Sequence, residues 1–163
     1  MRVLYVHGLE GSPQGHKAMA LRKSFDVVAP AMDTSDFEGC VKQIAGVLRT
    51  ERVDAVVGSS FGGAVAVRLL ERGAWRGPTL LLAPAVEHFA EGPSLPEGVQ
   101  VVIVHGLHDA IVSIESSRHL ASTGSPKRVR LVEVDDEHRL SRLLEGDLLA
   151  SLVREVASDI DSK

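Results

Sequence analysis

The stretch VDAVVGSSFGGAVAVR, residues 53–68, decides the fold of this chain. A β-branched, apolar run over 53–57 predicts a buried strand, and the apolar spacing over 60–72 predicts a helix. Between them lies the pattern G-x-S-x-G, residues 58–62, at a strand-to-helix turn. Such a turn strains the backbone of its middle serine, exposes the hydroxyl and admits only small residues on either side. Ser60 is therefore the candidate nucleophile.

The pentapeptide also fits a glycine-rich turn with a serine N-cap, so the rest of the chain must decide between the two interpretations. Further strands are predicted over 3–6, 26–29, 79–83, 99–104 and 129–134. Further helices are predicted over 15–24, 36–51, 113–121 and about 140–156, with at most a short helix in 85–98. This alternation predicts an α/β fold with a mainly parallel sheet of about six strands.

Composition and charge indicate a globular protein of ordinary type. The chain has 163 residues, which predicts one domain over 1–163, with 44% hydrophobic and 25% charged residues. A net charge of −4, no basic run and 4% aromatic residues argue against a nucleic-acid partner. The single cysteine, Cys40, is predicted to be a buried thiol in a helix. No signal-peptide pattern or membrane-spanning run is found, so we expect a soluble cytoplasmic protein without a membrane partner.

Polar residues follow four of the predicted strands, and parallel sheets carry their chemistry at these carboxyl ends. They are His7, Ser60, Asp109 and His138. A serine hydroxyl needs a base, and that base needs a carboxylate to orient it. We predict His138 as the base and Asp109 as the acid. The acidic residues just before His138 stay open as alternative acids: Asp135, Asp136 and Glu137.

The remaining site residues are predicted from the needs of the reaction. Backbone N–H groups of Leu9 and Phe61 are placed to stabilise an oxyanion. A modest apolar pocket is predicted from five side chains: Leu9, Phe61, Val86, Ile111 and Val112. His105 is interpreted as a packing residue at a strand end, and His7 as a brace for the loop after the first strand. The spacing of the histidines matches no zinc motif, so neither a metal nor a cofactor is expected.

Four motifs together resemble small, lidless bacterial serine esterases of the α/β-hydrolase superfamily. They are HGLEGSP at 7–13, GSSFGG at 58–63, HGLHDAIV at 105–112 and DEHRL at 136–140. The order Ser60, Asp109, His138 is that of the superfamily. The resemblance implies a three-layer sandwich with strand order 2-1-3-4-5-6, helices on both faces, no cap domain and an open site.

The resemblance also implies an activity, which is the cleavage of small carboxylic esters or thioesters through an acyl-enzyme. Two alternatives stay open because a fold does not determine a function. One is a non-catalytic binding protein on the same fold. The other is an acyltransferase or perhydrolase that uses the same three residues. The oligomeric state is not predicted.

Overall fold

The structure, a computed structural model, describes residues 1–9 and 11–158. Within this part the strands are β1 (Arg2–Val6), β2 (Asp26–Val28), β3 (Ala55–Ser59), β4 (Thr79–Leu82), β5 (Val101–Gly106) and β6 (Val129–Val134). The α-helices are α1 (His16–Arg22), α2 (Phe37–Thr50), α3 (Phe61–Glu71), α4 (Ile114–Thr123) and α5 (Leu148–Ala157). Short 3₁₀ turns lie at Val86–His88 and Ser141–Leu144.

The strands form one parallel sheet in the order β2-β1-β3-β4-β5-β6. Both the α/β class and the strand order are therefore confirmed. Strands β3, β4 and β5 are buried along their whole length. Strands covered on both faces show continuous apolar sequence rather than alternation, which explains why these strands were recognisable. The register places Val6 of β1 beside Gly58 of β3, so the loops that follow these two strands are neighbours.

Two hydrophobic cores lie on opposite faces of the sheet. Leu4 and Val6 of β1 point into one core with α2, α3 and α4, whereas Val3 and Tyr5 point into the other with α1 and α5. Because alternate side chains of β1 point to opposite faces of the sheet, this strand packs against the helices of both outer layers. Cys40 of α2 is buried in the first core, as predicted. No helix in the described residues is long and apolar enough to cross a membrane.

The last helix differs from the prediction, which placed its start at about residue 140. In the structure the segment first makes the 3₁₀ turn at Ser141–Leu144, and α5 begins only at Leu148. Leu140 and Gly146 have positive φ angles of 52° and 59°, which a right-handed helix does not allow. Leu140 is fully buried, so the chain turns tightly here to bring that side chain into the core next to α1 and α5.

Candidate active site

Ser60 lies between the end of β3 and the start of α3 and has a strained backbone. Its φ is 53° and its ψ is −112°, a region that residues other than glycine rarely occupy. Neighbouring chain holds it there, because Ser60 donates its N–H to Leu82 O at 2.9 Å and accepts from Ala85 N at 3.0 Å. The strained conformation is therefore held by β4 and by the segment after it, and Ser60 is left partly exposed.

Two glycines make this turn possible because the backbone packs against them at close range. A Cβ on Gly62 would lie 1.9 Å from Val6 O, and a Cβ on Gly58 would lie 2.6 Å from Gly62 O. Neither oxygen can move freely, since both belong to backbone. The pattern G-x-S-x-G thus reflects direct contact between the turn and the end of β1.

Gly62→Ala is expected to destabilise the protein by several kcal/mol, roughly 3 or more, because the added methyl group overlaps backbone that cannot yield. Gly46→Ala in the middle of α2 is the matched control. Its Cβ would meet only Arg49 Nη2, at 3.5 Å, and alanine is favoured over glycine within a helix by about 1 kcal/mol. Urea denaturation should give opposite signs for the two variants. Equal urea midpoints for Gly62→Ala and Gly46→Ala would contradict the steric explanation.

Ser60, His138 and Asp109 are joined by two hydrogen bonds. Ser60 Oγ lies 2.9 Å from His138 Nε2, and His138 Nδ1 lies 2.7 Å from Asp109 Oδ2. A carboxylate only accepts, so Nδ1 carries the hydrogen and donates it to Asp109. In the neutral ring, Nε2 then has a lone pair that faces the Ser60 hydroxyl. Ser60 and His138 are 78 positions apart in sequence, and His138 and Asp109 are 29 positions apart. The fold brings the three side chains together in the geometry of a proton relay.

Asp109 is held from both sides at the end of β5. Its side chain is fully buried, and Oδ1 accepts the N–H groups of Ile111 and Val112, both at 2.8 Å. Burial alone would raise the pKa of Asp109, but these N–H donors and the His138 ring outweigh it and hold that pKa below its ordinary value. Asp109 is therefore a carboxylate at neutral pH.

Two of the alternative acids, Asp135 and Asp136, have other partners. Asp136 accepts the N–H groups of Glu137 at 2.8 Å and Arg142 at 2.9 Å, so its carboxylate closes the loop that follows β6. Asp135 is 68% exposed and pairs with His108 at 2.7 Å. The acid that the structure brings to His138 is Asp109, which sequence position alone could not decide.

A lysine on α1 supports the loop that carries His138. Lys17 Nζ donates to Arg139 O at 2.7 Å. Burial lowers the pKa of Lys17, and the neighbouring Arg139 lowers it further while Asp136 opposes the change. Sequence reasoning missed this contact because a single lysine on a short helix carries no signal of a partner 122 positions away.

One proposed oxyanion donor, Phe61, directly follows Ser60, and the loop that carries the other, Leu9, approaches the same turn through Gly8. Phe61 is the first residue of α3, where an N–H has no partner within the helix. Gly8 brings the loop after β1 against the turn, since a Cβ there would lie 3.4 Å from Ser60 Cβ. His7 accepts Met32 N–H on Nε2 at 3.2 Å, so its Nδ1 donates to Gly8 O at 2.8 Å. The predicted brace is thus present, just before Leu9.

The predicted apolar pocket is only partly matched. Phe61 and Val86 are 0% and 1% exposed and belong to the core, where the Phe61 ring makes an edge contact with Phe89 at 5.0 Å between centroids. These two side chains offer no surface to a substrate, which corrects the prediction. Ile111, in contrast, is 65% exposed and lines a cavity of about 490 Å³ beside Asp109. Val112 borders the same cavity but is only 2% exposed, so its side chain offers little surface. Leu9, at 55% exposure, stays at the surface.

The histidines near Asp109 point in different directions. His108 is exposed and faces Asp135, whereas His105 is buried inside β5. Within the described residues, no three His, Cys, Asp or Glu side chains are grouped so that they could hold a metal ion.

Residues 2–95 match the sequence model of the family described as Uncharacterised protein family (UPF0227). The chain belongs to UPF0227. The UPF0227 match contains the loop after β1 and the G-x-S-x-G turn, whereas Asp109 and His138 lie beyond it.

Solved structures show that this UPF0227 chain has the α/β-hydrolase fold. An alpha/beta-superfamily protein of Xanthomonas campestris pv. campestris is similar with a TM-score of 0.74 at 22% identity, covering 99% of both chains. A monoacylglycerol lipase of Paleococcus ferrophilus gives a TM-score of 0.74 at 16% identity, covering 96% of this chain and 93% of that one. An alpha-beta serine hydrolase homologue of Coxiella burnetii gives 0.72 at 20%, covering 95% and 84%.

A curated protein is also similar in sequence to part of the UPF0227 chain. Phytyl ester synthase 1, chloroplastic, of Arabidopsis thaliana is 31% identical over an alignment of 107 residues that covers 58% of this chain and 15% of that protein. The similarity therefore concerns a small part of a much longer protein.

Proposed function

We propose that this protein is a serine hydrolase that cleaves small carboxylic esters or thioesters through an acyl-enzyme. The observation that carries the proposal is the continuous hydrogen-bond chain from Ser60 Oγ through His138 to Asp109, with distances of 2.9 and 2.7 Å. Both distances fall in the range that proton transfer requires. The strained turn that presents Ser60 adds support, because such strain concentrates at functional sites.

In the first half-reaction, Ser60 Oγ attacks the carbonyl carbon while His138 Nε2 takes the hydroxyl proton. The N–H groups of Leu9 and Phe61 donate to the oxyanion, each worth about 3 kcal/mol in the transition state. The tetrahedral intermediate then collapses. The bond to the leaving alcohol or thiol breaks, and His138 returns its proton to that group.

Water completes the reaction. His138 takes a proton from a water molecule, whose oxygen attacks the acyl carbon, and the bond to Ser60 Oγ breaks as the proton passes back to the serine. Asp109 stays ionised throughout, fixes the tautomer of His138 and stabilises its imidazolium form. No metal or cofactor takes part in these steps.

The substrate is proposed to be small because the surroundings of Ser60 provide little enclosure. Between β4 and β5 the chain forms only the 3₁₀ turn at Val86–His88, and we propose that no cap covers the site. The cavity beside Asp109 carries the exposed side chain of Ile111 and lies between that turn and the loop after β5. We assign the acyl chain or the leaving group to this cavity.

Acyl transfer is a second candidate, favoured by the similarity to a phytyl ester synthase. An alcohol would then replace water in the second half-reaction and leave as an ester. Product analysis with a competing alcohol separates the two outcomes.

A fluorophosphonate probe tests the proposed nucleophile directly. We expect stoichiometric labelling at Ser60, because Oγ displaces fluoride from phosphorus when His138 removes its proton. Peptide mass spectrometry should place the adduct on Ser60 and leave Ser59 unmodified, since Ser59 is buried at the end of β3. A folded protein that shows no labelling and no ester turnover would refute the hydrolase and favour the binding protein.

A further inference from the structure

His105 is a buried histidine whose ring touches Asp109. It lies in β5 with no exposed surface. Its Nδ1 is 2.7 Å from Ser117 Oγ of α4, and its Nε2 is 2.8 Å from Val112 O. The same Nε2 lies 3.1 Å from Asp109 Oδ2, the oxygen that also accepts from His138.

The partners of His105 determine where its hydrogen lies. Both neighbours of Nε2, Val112 O and Asp109 Oδ2, are acceptors, so Nε2 carries a hydrogen and donates it. In the neutral ring, Nδ1 then accepts the hydroxyl hydrogen of Ser117. All polar atoms of this buried ring thus have a partner. The single N–H of the ring donates to Val112 O, and its nitrogen also lies 3.1 Å from Asp109 Oδ2.

The carboxylate of Asp109 is therefore surrounded by N–H groups. Oδ1 accepts from Ile111 and Val112, and Oδ2 accepts from His138. The Nε2 of His105, whose hydrogen is donated to Val112 O, lies against Oδ2 on a further side at 3.1 Å. His105 thus contacts both the oxygen that faces His138 and the loop whose N–H groups hold the other oxygen.

We propose that His105 is a positioning residue that holds Asp109 Oδ2 in line with His138. This role rests on the proposed hydrolase reaction. An apolar side chain would be sufficient to pack the end of β5. A histidine that hydrogen-bonds to Val112 O and places the same N–H against Asp109 Oδ2 restrains the group that orients the base. His105 never reaches the substrate and acts only through Asp109.

Two amides that differ by one methylene group test this role. In His105→Gln the amide nitrogen takes the place of Nε2 and still reaches Asp109. In His105→Asn it reaches only the place of Nδ1, beside Ser117. Both variants keep a polar group in the buried site, and fluorophosphonate titration reports the concentration of folded, active enzyme in each. His119→Asn, on the exposed face of α4, is the control for a histidine elsewhere.

We expect His105→Asn to lower kcat roughly 2- to 10-fold with little change in KM, the range for losing one neutral hydrogen bond that positions Asp109. His105→Gln should recover most of that loss, and His119→Asn should match the unmodified protein. The rising limb of the kcat/KM profile should shift to higher pH in His105→Asn only. In this variant the positive end of the His105 N–H dipole no longer faces Asp109 and His138. Of the other charged groups on the adjacent elements, Arg118 of α4 pairs with both Glu115 and Glu133. Lys17 of α1 and Asp136 flank the loop of His138, and they are the same in every variant.

Equal kcat values and pH profiles for His105→Asn and His105→Gln, with an active unmodified protein, would overturn the positioning role and leave His105 as a packing residue. Lack of ester turnover by the unmodified protein would overturn the hydrolase proposal and the role of His105 with it. The two failures are therefore distinguishable.

Discussion

Ser60→Ala is expected to lower kcat for p-nitrophenyl acetate by roughly 10⁴- to 10⁶-fold, because removing the nucleophile of such a group costs about as much as removing the whole group. The variant should fold normally, because within the described residues the Ser60 hydroxyl hydrogen-bonds only with His138. Circular dichroism and urea denaturation check the fold, and steady-state kinetics measure the loss. The fluorophosphonate adduct should disappear with the activity.

Ser59→Ala is the matched control, because it removes the same hydroxyl one residue away. Ser59 is buried and hydrogen-bonds with Tyr5, whose pKa is raised to about 12 by burial despite that bond. Ser59→Ala should lose some stability, and its kcat should stay within a few-fold of that of the unmodified protein. Full turnover by Ser60→Ala, or loss of labelling in Ser59→Ala alone, would contradict the assignment of the nucleophile.

Asp109→Asn is expected to lower kcat by roughly 10⁴-fold while leaving KM nearly unchanged. The asparagine amide can donate to His138 Nδ1, which would favour the tautomer whose hydrogen lies on Nε2 and cannot accept the serine proton. The imidazolium would also lose its negative partner. Asp135→Asn removes a carboxylate of the same kind on the exposed side of the loop, 2.7 Å from His108, and should keep normal kinetics. Equal losses in both variants would contradict the assignment of Asp109 as the acid.

Stability against pH gives a second measurement on the same pair. The pKa of Asp109 is lower in the folded protein than in an unfolded chain, so its ionisation stabilises the fold fully above the unfolded value. That contribution is lost as the pH falls through the lower folded value. Urea denaturation from pH 7 into the acid range should therefore show a steeper loss of stability in the unmodified protein than in Asp109→Asn. Parallel curves would show that Asp109 is not held as a carboxylate.

The fold was predictable because the four inner strands of this sheet, β1, β3, β4 and β5, are almost entirely buried on both faces. Runs such as the one in β4 contain almost only apolar residues, and turn residues separate them from amphipathic helices. The start of α5 was not predictable in the same way. The segment after His138 has helical periodicity, but burying Leu140 requires a left-handed residue there, and this tertiary demand overrides the local preference.

The predicted substrate pocket shows a second limit of prediction from the sequence. Ile111 and Phe61 are both large apolar residues next to predicted site residues. Ile111 is nevertheless 65% exposed, whereas Phe61 is fully buried. The Phe61 ring, at the start of α3, packs in a cluster with Phe37 and Phe89. Residue type and position in a motif do not give the direction of a side chain, because that direction depends on elements distant in sequence.

The sequence by itself determined the order of strands and helices, the strained serine at the end of β3 and the set of polar residues at the ends of three other strands. These features follow from local pattern, since burial of both sheet faces and the close contact at Gly62 restrict residue type position by position. Only the tertiary structure decided that Asp109, rather than Asp135 or Asp136, meets His138, and that His105 shares Oδ2 with it. A hydrogen bond depends on distances of a few tenths of an ångström between separate loops, and such distances are set by packing of the whole sheet.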